Sequence, residues 1–162
     1  MKIGVISDTH LRGPDERLLA IIRKHFNDAE LILHAGDLVD LKVLDAFGDK
    51  DVIAVCGNMD TSRVEDEIPP KRVLQIGRFR IGLIHGWGSP LDLEDRIRRE
   101  FENVDCIVYG HSHCPANHIR DGILFFNPGT PFDRRYGDSR TVGILEVGED
   151  AITGRIIAID EG

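Results

Sequence analysis

The chain has 162 residues, 41% hydrophobic and 30% charged, a composition expected of one globular domain over residues 1–162 with a core of its own. Twenty Lys and Arg against 28 Asp and Glu leave a formal charge of -8, which excludes a broad basic surface for long nucleic acid or acidic lipid. An anionic partner therefore needs a local positive site. The apolar runs fall short of the roughly 20 residues of a membrane helix, and Met1–Ile6 leads straight into Asp8 rather than into a signal-peptide core. With three cysteines (Cys56, Cys106, Cys114) and no CxxC pair, a reducing, cytoplasmic setting without membrane contact is expected.

Short Ile- and Val-rich runs alternate with helical patterns in the first two thirds of the chain. Lys2 to Ile6 reads as a buried strand. From Asp15 to Phe26, Leu18, Leu19, Ile22 and Phe26 share one helical face, with Pro14 suited to a first turn. Leu31–Ala35 and Asp51–Cys56 read as further strands. Val73–Ile76 and Phe79–Ile84 flank Gly77-Arg78, a two-residue hairpin signal, and Arg80–Ile84 is the buried part of the second strand. From Pro90 to Glu102, Leu93, Ile97 and Phe101 recur every four residues. There Ser89 is suited to the N-cap, and Glu94 with Arg98 and Asp95 with Arg99 are spaced as i,i+4 pairs. Cys106–Tyr109 is the last run of the parallel type. Asp121-Gly122 joins Asn117–Arg120 to Ile123–Phe126, and Gly148-Glu149-Asp150 joins Thr141–Val147 to Ala151–Ile159. A parallel first half and a hairpin-rich second half describe an α/β chain with two packed mixed β-sheets flanked by helices.

Chemistry concentrates where these strands end. The first delivers Asp8-Thr9-His10, the second Gly36-Asp37, the third Gly57-Asn58, the fifth His85-Gly86 and the sixth Gly110-His111-Ser112-His113. The carboxyl edge of parallel strands is where sites assemble in α/β folds, and glycines before Asp37, Asn58 and His111 would let the chain turn sharply into a cleft. Seven imidazole, carboxylate or amide groups exceed one tetrahedral ion and suit two ions sharing a bridge. Mixed nitrogen and oxygen donors favour Mn, Fe, Zn or a similar first-row ion over Ca or Mg. His111 and His113, two apart, would point opposite ways in an extended segment and so serve different ions.

In these blocks the sequence resembles the calcineurin-like metallophosphoesterases, whose pattern is D-x-H, G-D, G-N, an isolated H and G-H-x-H. It is most similar to their small phosphodiesterases of the YfcE type, with the likeness running on through Asn127-Pro128-Gly129. The resemblance implies the metallo-dependent phosphatase-like αββα sandwich. It also implies one divalent ion on Asp8, His10, Asp37 and His113, and another on Asp37, Asn58, His85 and His111. Asp37 would bridge, manganese is the expected metal, and iron, zinc or nickel are alternatives. In the family a hydroxide between the ions attacks phosphorus in line with the leaving oxygen, which makes Asp37, Asn58 and His85 the candidate catalytic set. The expected partner is a small phosphate ester, and a homo-oligomer is left open.

One position departs from the pattern. Larger members read G-N-H-E or G-N-H-D, with the His placed to assist the leaving group; here the run is Gly57-Asn58-Met59-Asp60. Met59 cannot give a proton, so weaker help to poor leaving groups is expected, general-acid assistance being commonly worth about 100- to 10,000-fold. Activated aryl diesters or strained cyclic diesters would suffer least. Ligand histidines must be neutral, so activity is expected to fall below about pH 6. Arg12, Cys114, Asn127 and the loop from Asp133 to Arg140, including Arg134 and Arg135, lie near these blocks, with a solvated loop or subunit contact as their default reading. His34, inside an apolar strand, reads as a satisfied core histidine. The alternative function is a metal-poor protein-interaction scaffold of the same fold, as in the retromer subunit related to this family. Such scaffolds lose ligand residues, and all seven are present here. Neither a P-loop nor a dinucleotide fingerprint appears, nor the H-x-H-x-D-H run of metallo-β-lactamases.

Overall fold

A computed structural model describes residues 1–133 and 140–159. Ten strands form two five-stranded sheets. The first contains β1 (Lys2–Ile6), β2 (Leu31–His34), β3 (Val52–Ala54), β9 (Thr141–Val147) and β10 (Ile152–Ala158), in the order β10-β9-β1-β2-β3. The second contains β4 (Lys71–Ile76), β5 (Phe79–Ile84), β6 (Cys106–Val108), β7 (Ala116–Arg120) and β8 (Ile123–Asn127), in the order β4-β5-β6-β8-β7. Within the first sheet β1, β2 and β3 are parallel and β9 and β10 antiparallel. In the second, β5, β6 and β8 are parallel, with β4 and β7 antiparallel at the edges. Both sheets are therefore mixed.

The two-residue period of the strands builds a layered core. Ile3, Val5, Leu31, Leu33, Leu145 and Val147 of one sheet meet Ile81, Leu83, Cys106, Val108, Leu124 and Phe126 of the other. The intervening residues face outward onto helices. Ile6, Ile32, Val142 and Ile144 pack on Leu18, Ile21 and Ile22 of α1 (Glu16–His25) and on the 3-10 helix Leu41–Phe47. Ile84, Ile107, Ile123 and Phe125 pack on Leu93 and Ile97 of α3 (Leu93–Arg98). A small cluster of Leu38, Ala54, Val64 and Ile68 holds α2 (Ser62–Glu67). The expected sandwich of helix, two mixed sheets and helix is the observed one.

Local chemistry adjusts several sequence expectations. Asp15 caps α1, accepting from the Leu18 N–H at 2.9 Å, so Pro14 lies before the cap rather than in the first turn. The third helix is shorter than Pro90–Glu102: its N-cap is Asp92 in left-handed conformation, and Ser89 accepts from Leu91 N–H instead of capping. Glu94 and Asp95 do not pair along the helix with Arg98 and Arg99. Both reach across to Arg120 on β7, at 3.1 and 2.6 Å, and Glu94 also accepts from the Tyr109 hydroxyl at 2.6 Å. The α2 helix and the 3-10 segment carried no periodic signal, being only 6 and 7 residues long. The hairpin at Asp121-Gly122 forms as expected, both residues having positive φ.

Candidate metal centre

All seven candidate ligands follow the carboxyl ends of parallel strands, three strands in the first sheet and two in the second. Asp8 and His10 follow β1, Asp37 follows β2, Asn58 follows β3, His85 follows β5, and His111 and His113 follow β6. Five of them, His10, Asp37, Asn58, His111 and His113, line one cleft of about 410 Å³ with Met59, Pro90 and Ser112, and Asp8 and His85 adjoin it through contacts with His10, His113 and Asp37. Asp8, Asp37 and His85 form a buried floor, His10 and His111 are half-buried, and Asn58 is at the exposed rim.

The backbone that holds them is unusual for non-glycine residues. Asp8, His10, Asp37, His111 and His113 all have φ between 49° and 69°. Left-handed backbone is uncommon outside glycine and clusters at functional sites, where the surroundings must over-determine it. Here the surroundings do so: Asp8 N–H donates to Gly36 O at 3.0 Å and His10 N–H to Asp37 O at 3.1 Å, tying the two strand-end loops together. This also corrects the extended reading of His111 and His113, which diverge from a left-handed turn. Of the glycines before the ligands only Gly36 has positive φ; Gly57 and Gly110 are needed for close approach, since a Cβ there would strike Asp37 Oδ1 and Ser7 Oγ respectively.

Contacts sort the side chains into two overlapping groups. Asp8, His10 and His113 place one ligand atom each within 4.8 Å of one another, and so do Asp8, Asp37 and His85. Asp37 Oδ2 lies 3.7 Å from His10 Nε2 and 3.2 Å from His85 Nε2, between the groups. Asn58 Oδ1 lies 3.1 Å from His85 Nε2 and 3.2 Å from His111 Nδ1. His111 packs edge-on against His85, and His10 lies tilted against His113.

The donor set fits a cation. Asp8 Oδ2 is satisfied by the Ser7 hydroxyl at 2.6 Å and His111 N–H at 3.2 Å, yet Asp8 Oδ1 and His10 Nε2 are buried with no hydrogen-bond partner. A buried carboxylate oxygen left so is costly. The outward-facing ring nitrogens are already committed: His85 Nδ1 is 2.7 Å from Ala35 O, His111 Nε2 is 2.7 Å from Gly88 O, and His113 Nδ1 is 3.2 Å from Asp133 Oδ2. As donors to those oxygens, the neutral rings turn their lone pairs inward, toward Asp8, Asp37 and Asn58, as metal-binding histidines do. Without a metal, a proton takes that role. Burial lowers the His85 pKa, but the Asp37 and Asp8 carboxylates outweigh it and lift it to about 9. Burial likewise raises Asp8, and the imidazoles of His10 and His113 outweigh it, holding Asp8 below the usual carboxylate range.

Supporting residues escaped the sequence reading. Asp60 accepts from Gly57 N–H at 2.7 Å, Val39 N–H at 2.6 Å and Asp37 N–H at 3.0 Å, fastening both loops that carry Asp37 and Asn58. Its only sequence signal is the acidic position two after Asn58. Met59, read as a departure, supplies its backbone N–H to Asp37 Oδ1 at 2.8 Å, and its side chain is exposed. Thr130 donates to Asp8 O, and Asp133 orients His113. Asn127 is fully buried and holds Gly110 O, Ser112 Oγ and Gly129 N–H, so it shapes the His111 loop rather than meeting substrate. His34 is the satisfied core histidine expected: Gly36 N–H donates to its Nδ1 at 3.2 Å, which leaves Nε2–H for Thr9 Oγ1 at 3.1 Å. Arg12 and Cys114 are exposed, and Arg134 and Arg135 lie outside the described residues.

The family model of the calcineurin-like phosphoesterase superfamily domain matches residues 1–150. The chain belongs to the calcineurin-like phosphoesterase superfamily. Among its relatives in that superfamily is a probable metallophosphoesterase of Methanocaldococcus jannaschii, 38% identical over 99% of this chain and 83% of that one. A phosphodiesterase of the same organism is 31% identical over 90% of this chain and 93% of its own length. Vps29 of Chaetomium thermophilum shares the calcineurin-like fold with a TM-score of 0.82 over 100% of this chain and 87% of that one, at 21% identity. As a calcineurin-like phosphoesterase the chain is related to metallophosphoesterases, which agrees with a cleft lined by side chains that could hold a metal ion.

Proposed function

We propose that this protein is a two-metal phosphodiesterase acting on small phosphate esters, working as a single domain over residues 1–162. The observation that carries the reading is the convergence of seven ligand-type side chains from two sheets around a buried Asp8 oxygen and a His10 nitrogen that lack hydrogen-bond partners. Asp8, His10, Asp37 and His113 would hold one ion, and Asp37, Asn58, His85 and His111 the other, with Asp37 between them. Its Oδ2 lies within 3.7 Å of nitrogens from both sets. Divalent ions bound there, with manganese favoured, would supply a nucleophile from water at neutral pH and neutralise charge developing on phosphorus.

The protein's own part is positional. Two aspartates and four neutral imidazoles give the ligand set a charge of -2, so two divalent ions leave a net positive cleft in an acidic chain. That cleft is the local positive site that composition required. Hydrogen bonds donated to Ala35 O, Gly88 O and Asp133 Oδ2 hold three imidazole rings in fixed orientation before any ion arrives. Met59 leaves the position immediately before the Asp60 clamp without a proton donor, which supports diesters with good leaving groups over alkyl monoesters. Three free cysteines, Cys106 buried, Cys56 half-buried and Cys114 exposed, are in keeping with a reducing, cytoplasmic setting.

The alternative of a metal-poor protein-interaction scaffold draws on the likeness to Vps29, which at 21% identity concerns the fold. Retention of the whole donor set favours the enzyme. A panel of aryl phosphodiesters, cyclic diesters and aryl and alkyl monoesters, assayed with Mn, Fe, Zn and Ni, tests the reading. Aryl and cyclic diesters are expected to turn over fastest. A strong preference for alkyl monoesters would contradict the diesterase assignment, and turnover of none of them the enzyme.

A further inference from the structure

Beside the metal centre, on the side of Asn58 and His85, lies a cavity of about 480 Å³ whose wall includes Cys56, Pro70, Ile84 and Trp87. Asn58 and His85 belong to that wall, and Asn58 lines the cleft as well, so the two adjoin at Asn58. Trp87 in this wall is 44% exposed, and Met59 in the wall of the adjoining cleft is 58% exposed. The loop carrying Trp87 and Leu91 is held through its backbone carbonyls. Arg96, from α3, donates through Nε and Nη2 to Trp87 O at 3.1 and 2.8 Å and through Nη1 to Leu91 O at 2.9 Å, and it also bonds Ser89 O. The fourth carbonyl, Gly88 O, lies 2.7 Å from Nε2 of the candidate ligand His111. One guanidinium and one candidate-ligand imidazole thus pin the backbone that carries the Trp87 indole in the cavity beside the cleft. Folding gains little from a tryptophan presented to water on a pinned loop, whereas binding gains from an aromatic surface already ordered.

Resting on the phosphodiesterase reading, we propose that Trp87 is a specificity-determining residue that stacks a planar, apolar or aryl substituent of the diester, the one retained after cleavage, while Arg96 is the positioning residue for its loop. An anchor on the retained substituent keeps phosphorus in register with the ions throughout bond breaking. A monoester has no second substituent to place there.

Kinetics and fluorescence of the metal-loaded protein test this. Bis(p-nitrophenyl) phosphate and methyl p-nitrophenyl phosphate share a leaving group and differ in the retained substituent. In Trp87→Ala the ratio of kcat/KM for the bis-aryl over the methyl aryl ester is expected to fall about tenfold, mostly through KM. Trp87→Phe should restore most of the ratio, and Arg96→Ala should lower it in the same direction. Because Trp87 is the sole tryptophan of the chain, its emission reports this position alone. Diphenyl phosphate should change that emission saturably and dimethyl phosphate should not. An unchanged ratio in Trp87→Ala, with activity intact, overturns the proposal whatever the emission does. If the wild-type protein hydrolyses no ester, the phosphodiesterase reading fails, and the emission decides: a saturable response to diphenyl phosphate keeps Trp87 as an aryl phosphate contact, and none removes it.

Discussion

Asp60 shows how one residue outside the ligand pattern sets the geometry of several within it. Its carboxylate holds three backbone N–H groups on the loops of Asp37 and Asn58, so Asp60→Ala leaves three donors unsatisfied beside the centre. Metal affinity, measured by calorimetric titration, is expected to drop about 10- to 100-fold, as for other residues that orient ligands; unchanged affinity would contradict that role. The role was hidden in the sequence because three N–H groups from two loops meet only in the fold. The candidate ligands were legible as a group, since aspartate, histidine and asparagine at successive strand ends have few structural uses in common, and the fold gathers them where strands of the two sheets end. Their left-handed backbone was not, because no local signal forces Asp37 or His113 to positive φ. His34 gives a pH test at the same scale. Burial pushes its pKa from 6.5 down to about 4. Between those values the unfolded chain binds a proton that the folded chain does not. Stability is thus whole above pH 6.5 and falls toward pH 4, with a slope approaching about 1.4 kcal/mol per pH unit from this group. Urea unfolding of wild type and His34→Gln across that range should show a shallower slope in the variant. Parallel slopes would remove His34 from the account.

Among the elements, strands were read well and helices unevenly. Buried strands of 3 to 7 residues announce themselves through Ile and Val runs and hairpin turns. The pairing that divides them into two sheets does not, because β1 joins β9 across most of the chain. The acidic residues of the third helix are drawn to Arg120 on β7 and to Tyr109 rather than to Arg98 and Arg99, contacts that i,i+4 spacing cannot reveal. Phe126 is the element-scale test of the packing. It is fully buried between the sheets, and Gly143 on β9 and Gly154 on β10 leave room for its ring, a Cβ at either place striking it. Phe126→Ala should cost about 3–5 kcal/mol in denaturant unfolding, from lost burial and the cavity left behind. A loss below about 1 kcal/mol would mean that the sheets close over the gap.

For the whole molecule, the formal charge of -8 and the candidate centre are complementary. The acidic balance disfavours long polyanions, and on the proposed function the positive potential needed by a phosphate ester would come from ions held in a cleft where two sheets meet. No helix among the described residues is long and apolar enough to cross a membrane. The fold alone is shared with proteins of the Vps29 type, so function rests on what fills the sheet edges. The most direct test is stepwise metal addition to metal-free protein while hydrolysis of bis(p-nitrophenyl) phosphate is followed. Activity is expected to rise until about two divalent ions are bound per chain, to vanish with chelator, and to fall at least about 100-fold in Asp37→Ala. Folded protein with two ions bound and no hydrolysis, or full activity in chelator, would contradict the two-metal phosphodiesterase.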